Sequence, residues 1–346
     1  MKEKKTSIRF IVNPISGTQS KEDFPALVNQ IIDSSRFECD ILFTEYAGNA
    51  TEIAHESIAS GIDICVAVGG DGTVNEVARS LVHTSTALGI VPCGSGNGLA
   101  RHLCLPMDIS RSLQIINQAQ IERFDYGVIN NQPFFCTCGM GFDAFISLKF
   151  AEAGKRGPIT YVENVLKEGL KYKPETYVVE DEAGVHHYKA FLIACANAAQ
   201  YGNNAYIAPG ASMKDGMLDV IVMEPFDVLD APTIALDLFS KTLNQNSKIK
   251  TFKAKRIHVH RSAPGAIHYD GDPIMTNADV DVELKPLGIS IVVNPDAIED
   301  DAQPNPMLNA FSDFFNNINN VREDIVRGGR RINVLNKLML RRLSRL

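Results

Sequence analysis

Ile64-Cys-Val-Ala-Val68 followed by Gly69-Gly-Asp-Gly-Thr-Val-Asn-Glu76 constrains this chain more than any other stretch. A five-residue apolar run reads as a buried strand, Gly69 and Gly70 end it, and Thr73 with Glu76 reads as a capping box opening a helix. Val74, Val77, Ala78, Leu81 and Val82 recur on one face of that helix. Strand, glycine turn and helix N-terminus together present backbone N–H groups and a positive dipole end to phosphate. Asp71 stands in the turn, where a carboxylate beside phosphate calls for Mg²⁺ or a metal-bound water. A plain left-handed turn needs one glycine, not three with an acid among them.

The stretches around it repeat the pattern. Ile8–Val12 reads as a strand ending in the polar loop Asn13-Pro14-Ile-Ser-Gly17, with a helix through Phe24, Leu27, Val28, Ile31 and Ile32. Cys39–Phe43 is a second strand ending at Thr44, and Thr51–Ser60 a helix. Leu88–Val91 is a fourth strand, followed by Gly94-Ser95-Gly96-Asn97-Gly98 and a helix through Leu103. Strands alternating with helices imply a doubly wound parallel sheet, whose ligands bind at the carboxyl ends of the strands. All three loops lie at that end. Asn13 and Thr44 offer side-chain hydrogen bonds there, and 69–73 and 94–97 offer backbone donors. The loops do not fit the P-loop pattern or G-x-G-x-x-G.

After about residue 125 the texture changes. Tyr126–Ile129 and Phe134–Cys138 flank a hairpin turn at Asn130-Asn-Gln, and Thr176–Glu180 and Val185–Ala196 flank another at Asp181-Glu-Ala-Gly. Further strands are expected at 218–223, 256–260, 266–269, 280–284 and 289–293, and helices at 158–173 and 228–243. This is the pattern of an antiparallel β-sandwich. The fold expected is α/β plus β: an N-terminal nucleotide-binding domain over 1–125, a β-rich domain over 126–294 with a cleft between them, then a linker and helical tail over 295–346.

Composition narrows the function. No apolar run reaches the ~18 residues of a membrane span, and the N-terminus lacks the apolar region of a signal peptide. Seven cysteines without a C-x-x-C pair read as free thiols in a reducing compartment, which points to a cytoplasmic protein. Cys136 and Cys138 read as alternating strand residues. The net charge of −7 hides a basic end: residues 321–346 hold eight basic side chains against Glu323 and Asp324. An acidic body argues against nucleic-acid binding. In the tail Ile332, Leu335, Met339, Leu343 and Leu346 share a helical stripe beside Lys337, Arg341 and Arg345. That helix suits either an anionic membrane surface or packing on the first domain. His186-His187 and His258-x-His260 read as surface or strand-face residues rather than metal ligands.

Asn13-Pro-x-x-Gly17, Gly69-Gly-Asp-Gly-Thr-x-Asn-Glu76, Gly94-Ser-Gly-Asn97, Gly139-Met-Gly-Phe-Asp-Ala144, Asp215-Gly-x-Leu-Asp219 and Asp270-Gly271 occur in this order. The series resembles the diacylglycerol kinase catalytic-domain family, which includes bacterial lipid kinases and the sphingosine and ceramide kinases. The resemblance covers roughly residues 7–294 and implies an ATP- and Mg²⁺-dependent kinase acting on a lipid hydroxyl. The nucleotide would lie against Asn13, Pro14, Gly17, Thr44, Gly69, Gly70, Asp71, Gly72, Thr73, Asn75, Glu76, Gly94, Ser95, Gly96 and Asn97. The resemblance makes Asp270 the general base; were the base to lie elsewhere, Asp71 is the next candidate. Asp272 stands where the family usually has a glutamate, and Gly98 where many bacterial members have an aspartate. A separate structural Mg²⁺ site maps onto Asp215 with the carbonyls of Ser212 and Met217.

Other readings stay open at this point. The acceptor is diacylglycerol, a related lipid or a sphingoid base. An NAD kinase shares Gly-Gly-Asp-Gly-Thr on a similar plan, and a nucleotide sensor without turnover is a further class. The expected partners are a lipid substrate and an anionic membrane surface, with localisation peripheral to the membrane. A homodimer is left open.

Overall fold

The computed structural model describes residues 4–18, 20–153, 172–227 and 230–297. The expected helix over 158–173 lies almost wholly outside them, and the basic tail wholly so. Four parallel strands build the first layer: β1 Thr6–Val12, β2 Phe37–Phe43, β3 Ile64–Gly69 and β4 Ala87–Pro92. They lie in the order β2-β1-β3-β4. Every residue of β3 and β4 is buried, as expected of strands covered on both faces. Helices α1 (Phe24–Ile31) and α5 (Ile109–Gln118) pack together, as do α2 (Asn49–Ala59) and α3 (Asp71–Leu81). Right-handed crossovers put these two pairs on opposite faces of the sheet. The strand order reverses between β1 and β3, whose ends lie side by side through Val12 and Val68.

The second half is an antiparallel sandwich. Its six-stranded sheet runs β12-β11-β10-β7-β14-β15, formed by β7 Thr137–Gly141, β10 Leu192–Ala196, β11 Leu218–Met223, β12 Ile249–Ala254, β14 Gly265–Tyr269 and β15 Asp272–Thr276. Facing it are β8 Glu175–Asp181, β9 Gly184–Ala190, β13 Arg256–Arg261 and part of β16 Asp279–Val292. Tyr177, Ile193, Val220, Val259 and Val282 belong to the core between the two layers. Helix α6 (Phe142–Ala153) covers β14 and β15 from outside, and α7 (Ala231–Phe239) lies within the expected 228–243 helix.

The two halves are not separate sheets. Strand β16 pairs with β13 in the sandwich, crosses a bulge between Lys285 and Ile289, and then pairs in parallel with β4 through Ile291 and Leu88. The strands read as 280–284 and 289–293 are thus one strand. A boundary at residue 125 falls inside β5 (Ile121–Ile129), which follows β16 along the same path. Two more expected strands are broken. Phe134–Cys138 divides into β6 (Gln132–Phe134) and β7, and Val185–Ala196 divides at Phe191 into β9 and β10 in different sheets. At Phe191 the backbone leaves the strand pattern to donate to Met223 O at 2.7 Å and accept from Phe142 N–H at 2.9 Å.

Candidate active site

Helix α3 begins at Asp71 with Gly70 as its extended N-cap, and no side chain caps it. The expected Thr73–Glu76 capping box is therefore absent. Thr73 Oγ1 accepts instead from Asn13 Nδ2 at 3.1 Å, and Glu76 Oε1 accepts from Gly48 N–H at 3.1 Å. Both side chains tie α3 to neighbouring loops. As the first turn of a helix, Asp71, Gly72 and Thr73 have N–H groups with no intrahelical acceptor. A Cβ placed on Gly72 would meet nothing within 4 Å, so the space beside this turn is open.

The glycine loops after β3 and β4 touch backbone to backbone. A Cβ on Gly94 would lie 2.6 Å from Gly70 Cα, and one on Gly96 would lie 2.6 Å from Asp71 Oδ2. Glycine is required at both by close approach. Gly17, left-handed at φ 66, brings the third loop against the carbonyl of Cys93. The polar loop after β1 is anchored by Asn13 N–H to Val68 O at 3.0 Å, while Pro14 is exposed. Thr44 N–H continues the β1–β2 ladder to Val12 O at 2.8 Å.

Asp71 is tied to the second glycine loop. Its Oδ2 accepts from Asn97 N–H at 2.9 Å and its Oδ1 from Gly98 N–H at 2.7 Å. The negative charge is thereby set against the N-terminus of α4 (Gly98–His102) and locks the two glycine loops together. Gly94 N–H is also occupied, by Asn97 Oδ1 at 3.0 Å. Within the expected 94–97 donor set this leaves Ser95, which is exposed, and Gly96 as the N–H groups nearest solvent.

Asp270 lies in the turn between β14 and β15, left-handed at φ 52, with Gly271 at φ 87. Its Oδ1 accepts from Cys136 N–H at 2.8 Å and Thr137 N–H at 3.1 Å, and its Oδ2 from Phe135 N–H at 2.8 Å. These bonds explain the gap between β6 and β7: the backbone there is turned toward a carboxylate. Burial raises the pKa of Asp270 above the usual carboxylate value, and Arg79 and the three N–H groups act against that rise. Asp272, read as its acidic companion, is instead paired with Arg79 Nη1 at 2.8 Å. Arg79 also donates to Tyr269 O and stacks on the Tyr269 ring, 4.5 Å from its centroid. Asn75 Nδ2 reaches Asp270 O at 3.5 Å. Helix α3 thus carries the turn of the second domain against the glycine loops of the first.

The expected structural Mg²⁺ site does not fit its residues. Lys253 Nζ lies 2.6 Å from Asp215 Oδ2 and 3.0 Å from Asp219 Oδ2, so an ammonium already neutralises the carboxylate. Asp215 Oδ1 accepts from Met217 N–H at 3.1 Å, and the Ser212 hydroxyl accepts from Lys214 N–H at 3.3 Å. His258 and His260 pair with Asp281 and Asp279 on an outer strand face. Among the described residues no three His, Cys, Asp or Glu side chains are grouped to hold a metal ion.

Several residues at the site carry no local signal that would reveal them. Arg79 is one. Arg101 donates through Nε to Gly96 O at 3.0 Å, and His102 Nδ1 accepts from Ala199 N–H at 3.2 Å. Asp125, 1% exposed, accepts from Leu287 N–H and Gly216 N–H and so fixes the bulge of β16. Arg101 also reaches Asn204 Oδ1 through Nη1 at 3.5 Å, so each of these side chains bridges segments far apart in the chain.

A parallel sheet with glycine loops at its switch point, joined by one long strand to a sandwich that presents an aspartate, is the architecture of a two-domain kinase. Residues 7–129 match the diacylglycerol kinase catalytic domain, and residues 137–293 match the YegS C-terminal NAD kinase beta sandwich-like domain. A diacylglycerol kinase of Bacillus subtilis is 27% identical over 270 residues, 76% of this chain and 89% of that protein. A probable lipid kinase YegS-like of Chromohalobacter salexigens is 27% identical over 232 residues, 65% of this chain and 75% of its own length. The crystal structure of a putative diacylglycerol kinase from Bacillus anthracis superposes with a TM-score of 0.69 at 25% identity, covering 85% of this chain and 97% of that one. The chain belongs to the diacylglycerol kinase catalytic-domain family, a family of lipid kinases. No helix of the described residues is long and apolar enough to cross a membrane.

Proposed function

We propose that this enzyme transfers the γ-phosphoryl group of ATP to the hydroxyl of diacylglycerol or a related lipid, with Asp270 as general base. The observation that carries the reading is the state of the Asp270 carboxylate. Oδ1 receives two N–H donors and Oδ2 one, so Oδ2 keeps a lone pair for a proton. The turn that bears it is held to α3 by Arg79 and Asn75. Phosphates would lie over the opening turn of α3, where the dipole and the first N–H groups favour anions.

The acceptor hydroxyl gives its proton to Asp270 Oδ2 as its oxygen bonds to the γ-phosphorus. The bond from that phosphorus to the bridging oxygen breaks, and ADP leaves. Mg²⁺ supplies charge neutralisation on the phosphates in such transfers. With no protein-built cage of His, Cys, Asp or Glu among the described residues, the cation would arrive with the nucleotide. The other loop residues position: the Asn13–Thr73 bond fixes the loop after β1, and Gly69, Gly70, Gly94 and Gly96 admit close approach. The basic tail is assigned to the anionic membrane surface from which the lipid is taken, on its sequence pattern alone.

The test is incubation of the purified protein with γ-labelled ATP and vesicles carrying diacylglycerol, a sphingoid base or neither. Label in phosphatidic acid supports the reading, and label in the sphingoid base shifts the acceptor. Label in NADP⁺ when NAD⁺ is supplied, with none in lipid, or ATP binding without turnover, overturns it.

A further inference from the structure

Two residues before Asp270, His268 is 2% exposed and held at both ring nitrogens. Nε2 lies 3.0 Å from Asp143 Oδ2, and Gly271 N–H approaches Nδ1 at 3.4 Å. A donor at Nδ1 makes that atom the acceptor, so Nε2 carries the hydrogen and donates to Asp143. Asp143 is fixed in turn. Its Oδ1 accepts from Ala144 N–H at 2.8 Å and its Oδ2 from the Tyr201 hydroxyl at 3.3 Å. Its place depends on Gly139, where a Cβ would lie 2.2 Å from Asp143 Oδ2.

Tyr201 opens a loop that leans on the first domain. Asn203 N–H donates to Gly96 O at 3.0 Å, the same carbonyl that Arg101 Nε reaches. Gly202, left-handed at φ 112, brings its backbone so close that a Cβ would lie 3.2 Å from Gly96. From the glycine loop the link passes by a hydrogen bond from Gly96 O to Asn203 N–H, along the backbone to Tyr201, and then by hydrogen bonds through Asp143 and His268 to the turn at Gly271. That turn is worth holding. Asp270 and Gly271 are consecutive left-handed residues, a backbone conformation that a residue other than glycine keeps only where its surroundings hold it.

We propose that His268, oriented by Asp143 and Tyr201, is a positioning residue for phosphoryl transfer: it holds the Asp270–Gly271 turn in its reactive geometry and registers it with the glycine loop. This rests on the reading of Asp270 as the base. The arrangement is not a nucleophilic triad, because the second nitrogen of His268 faces a backbone N–H and no hydroxyl or thiol. Reacting groups must be held within about half an ångström of productive geometry, so a relaxed turn lowers turnover while leaving nucleotide binding in place.

The experiment compares three variants of the full chain. His268→Leu removes both ring contacts, His268→Asn keeps an acceptor where Nδ1 stood, and Tyr201→Phe removes one hydroxyl from Asp143. The expected result is a kcat lowered about 10- to 100-fold in His268→Leu with KM for ATP within about twofold. His268→Asn should recover part of the loss, and Tyr201→Phe should fall a few-fold. Wild-type kcat in His268→Leu, or equal losses in the Leu and Asn variants that track equal losses of thermal stability, would overturn the proposal. Nitrogen NMR of histidine-labelled protein gives a readout independent of turnover and of the leucine variant's folding. It should show the Nε2–H tautomer, with a resonance displaced by Asp143→Asn; an Nδ1–H tautomer contradicts the proposal. An Asp270→Asn variant with wild-type kcat would remove the base assignment while leaving the NMR test of His268 standing.

Discussion

Arg79 Nη1 lies 2.8 Å from Asp272 Oδ2, and these two residues, 193 positions apart, join the helix after the first glycine loop to the turn that carries Asp270. The pair is partly exposed, with Asp272 at 51%, so its own contribution to stability is modest, about 0.5–1 kcal/mol. Its value is geometric. Arg79→Met should lower kcat about tenfold or more, because the contacts to Tyr269 and Asp272 go together. Asp272→Asn should lower it less. A double-mutant cycle in kcat with no coupling between the two would separate them.

Asp71→Asn bears on what the first acid of the glycine loop does. The carboxylate accepts two backbone N–H groups from the second loop, and an amide can accept only through its single oxygen. We expect a stability loss of about 1–3 kcal/mol and a raised KM for ATP that excess Mg²⁺ or Mn²⁺ does not repair. Full rescue by added cation would return Asp71 to the role of metal ligand.

How much of this was legible in the sequence follows from how far apart the partners lie. Strand β3, Gly69-Gly70 and α3 are contiguous, so hydrophobic run, breaker and helical spacing were enough to find them. The Asn130-Asn131 hairpin was equally local, and both residues take the positive φ such turns require. The Thr73–Glu76 capping box failed because Asn13 and Gly48, brought in by other loops, compete for those side chains. No local pattern could show that β16 leaves the sandwich to pair with β4, since its alternation breaks only at the bulge around Leu287. Asp143 was visible within Gly139-x-Gly-Phe-Asp143, but its partner His268 lies 125 residues on.

The lysine between Asp215 and Asp219 gives a prediction about metal removal. With Lys253 Nζ within 3.0 Å of both carboxylates, the melting temperature of the nucleotide-free protein should be unchanged by EDTA or by millimolar Mg²⁺. Lys253→Met leaves the two carboxylates facing one another, and its stability should then rise with Mg²⁺. A wild-type melting temperature that falls on chelation would restore the structural metal site.

His102 makes stability depend on acid. Burial lowers its pKa from 6.5 to about 4 while Nδ1 accepts the Ala199 N–H. Below pH 6.5 the unfolded chain binds a proton that the folded protein refuses until near pH 4. Stability therefore falls as pH drops through that window, by roughly 1–2 kcal/mol between pH 7.5 and 5. Urea midpoints at the two pH values should show this loss in the wild type and a smaller one in His102→Gln. Equal losses would place the acid sensitivity elsewhere.

The assignment of Asp270 as base is tested most directly by Asp270→Asn, measured for both ATP affinity and single-turnover transfer to diacylglycerol in vesicles. The amide keeps one acceptor oxygen against the N–H groups of 135–137 but cannot take the hydroxyl proton. The account predicts a transfer rate lowered about 10²- to 10⁴-fold with ATP affinity little changed. Transfer at close to the wild-type rate would contradict it.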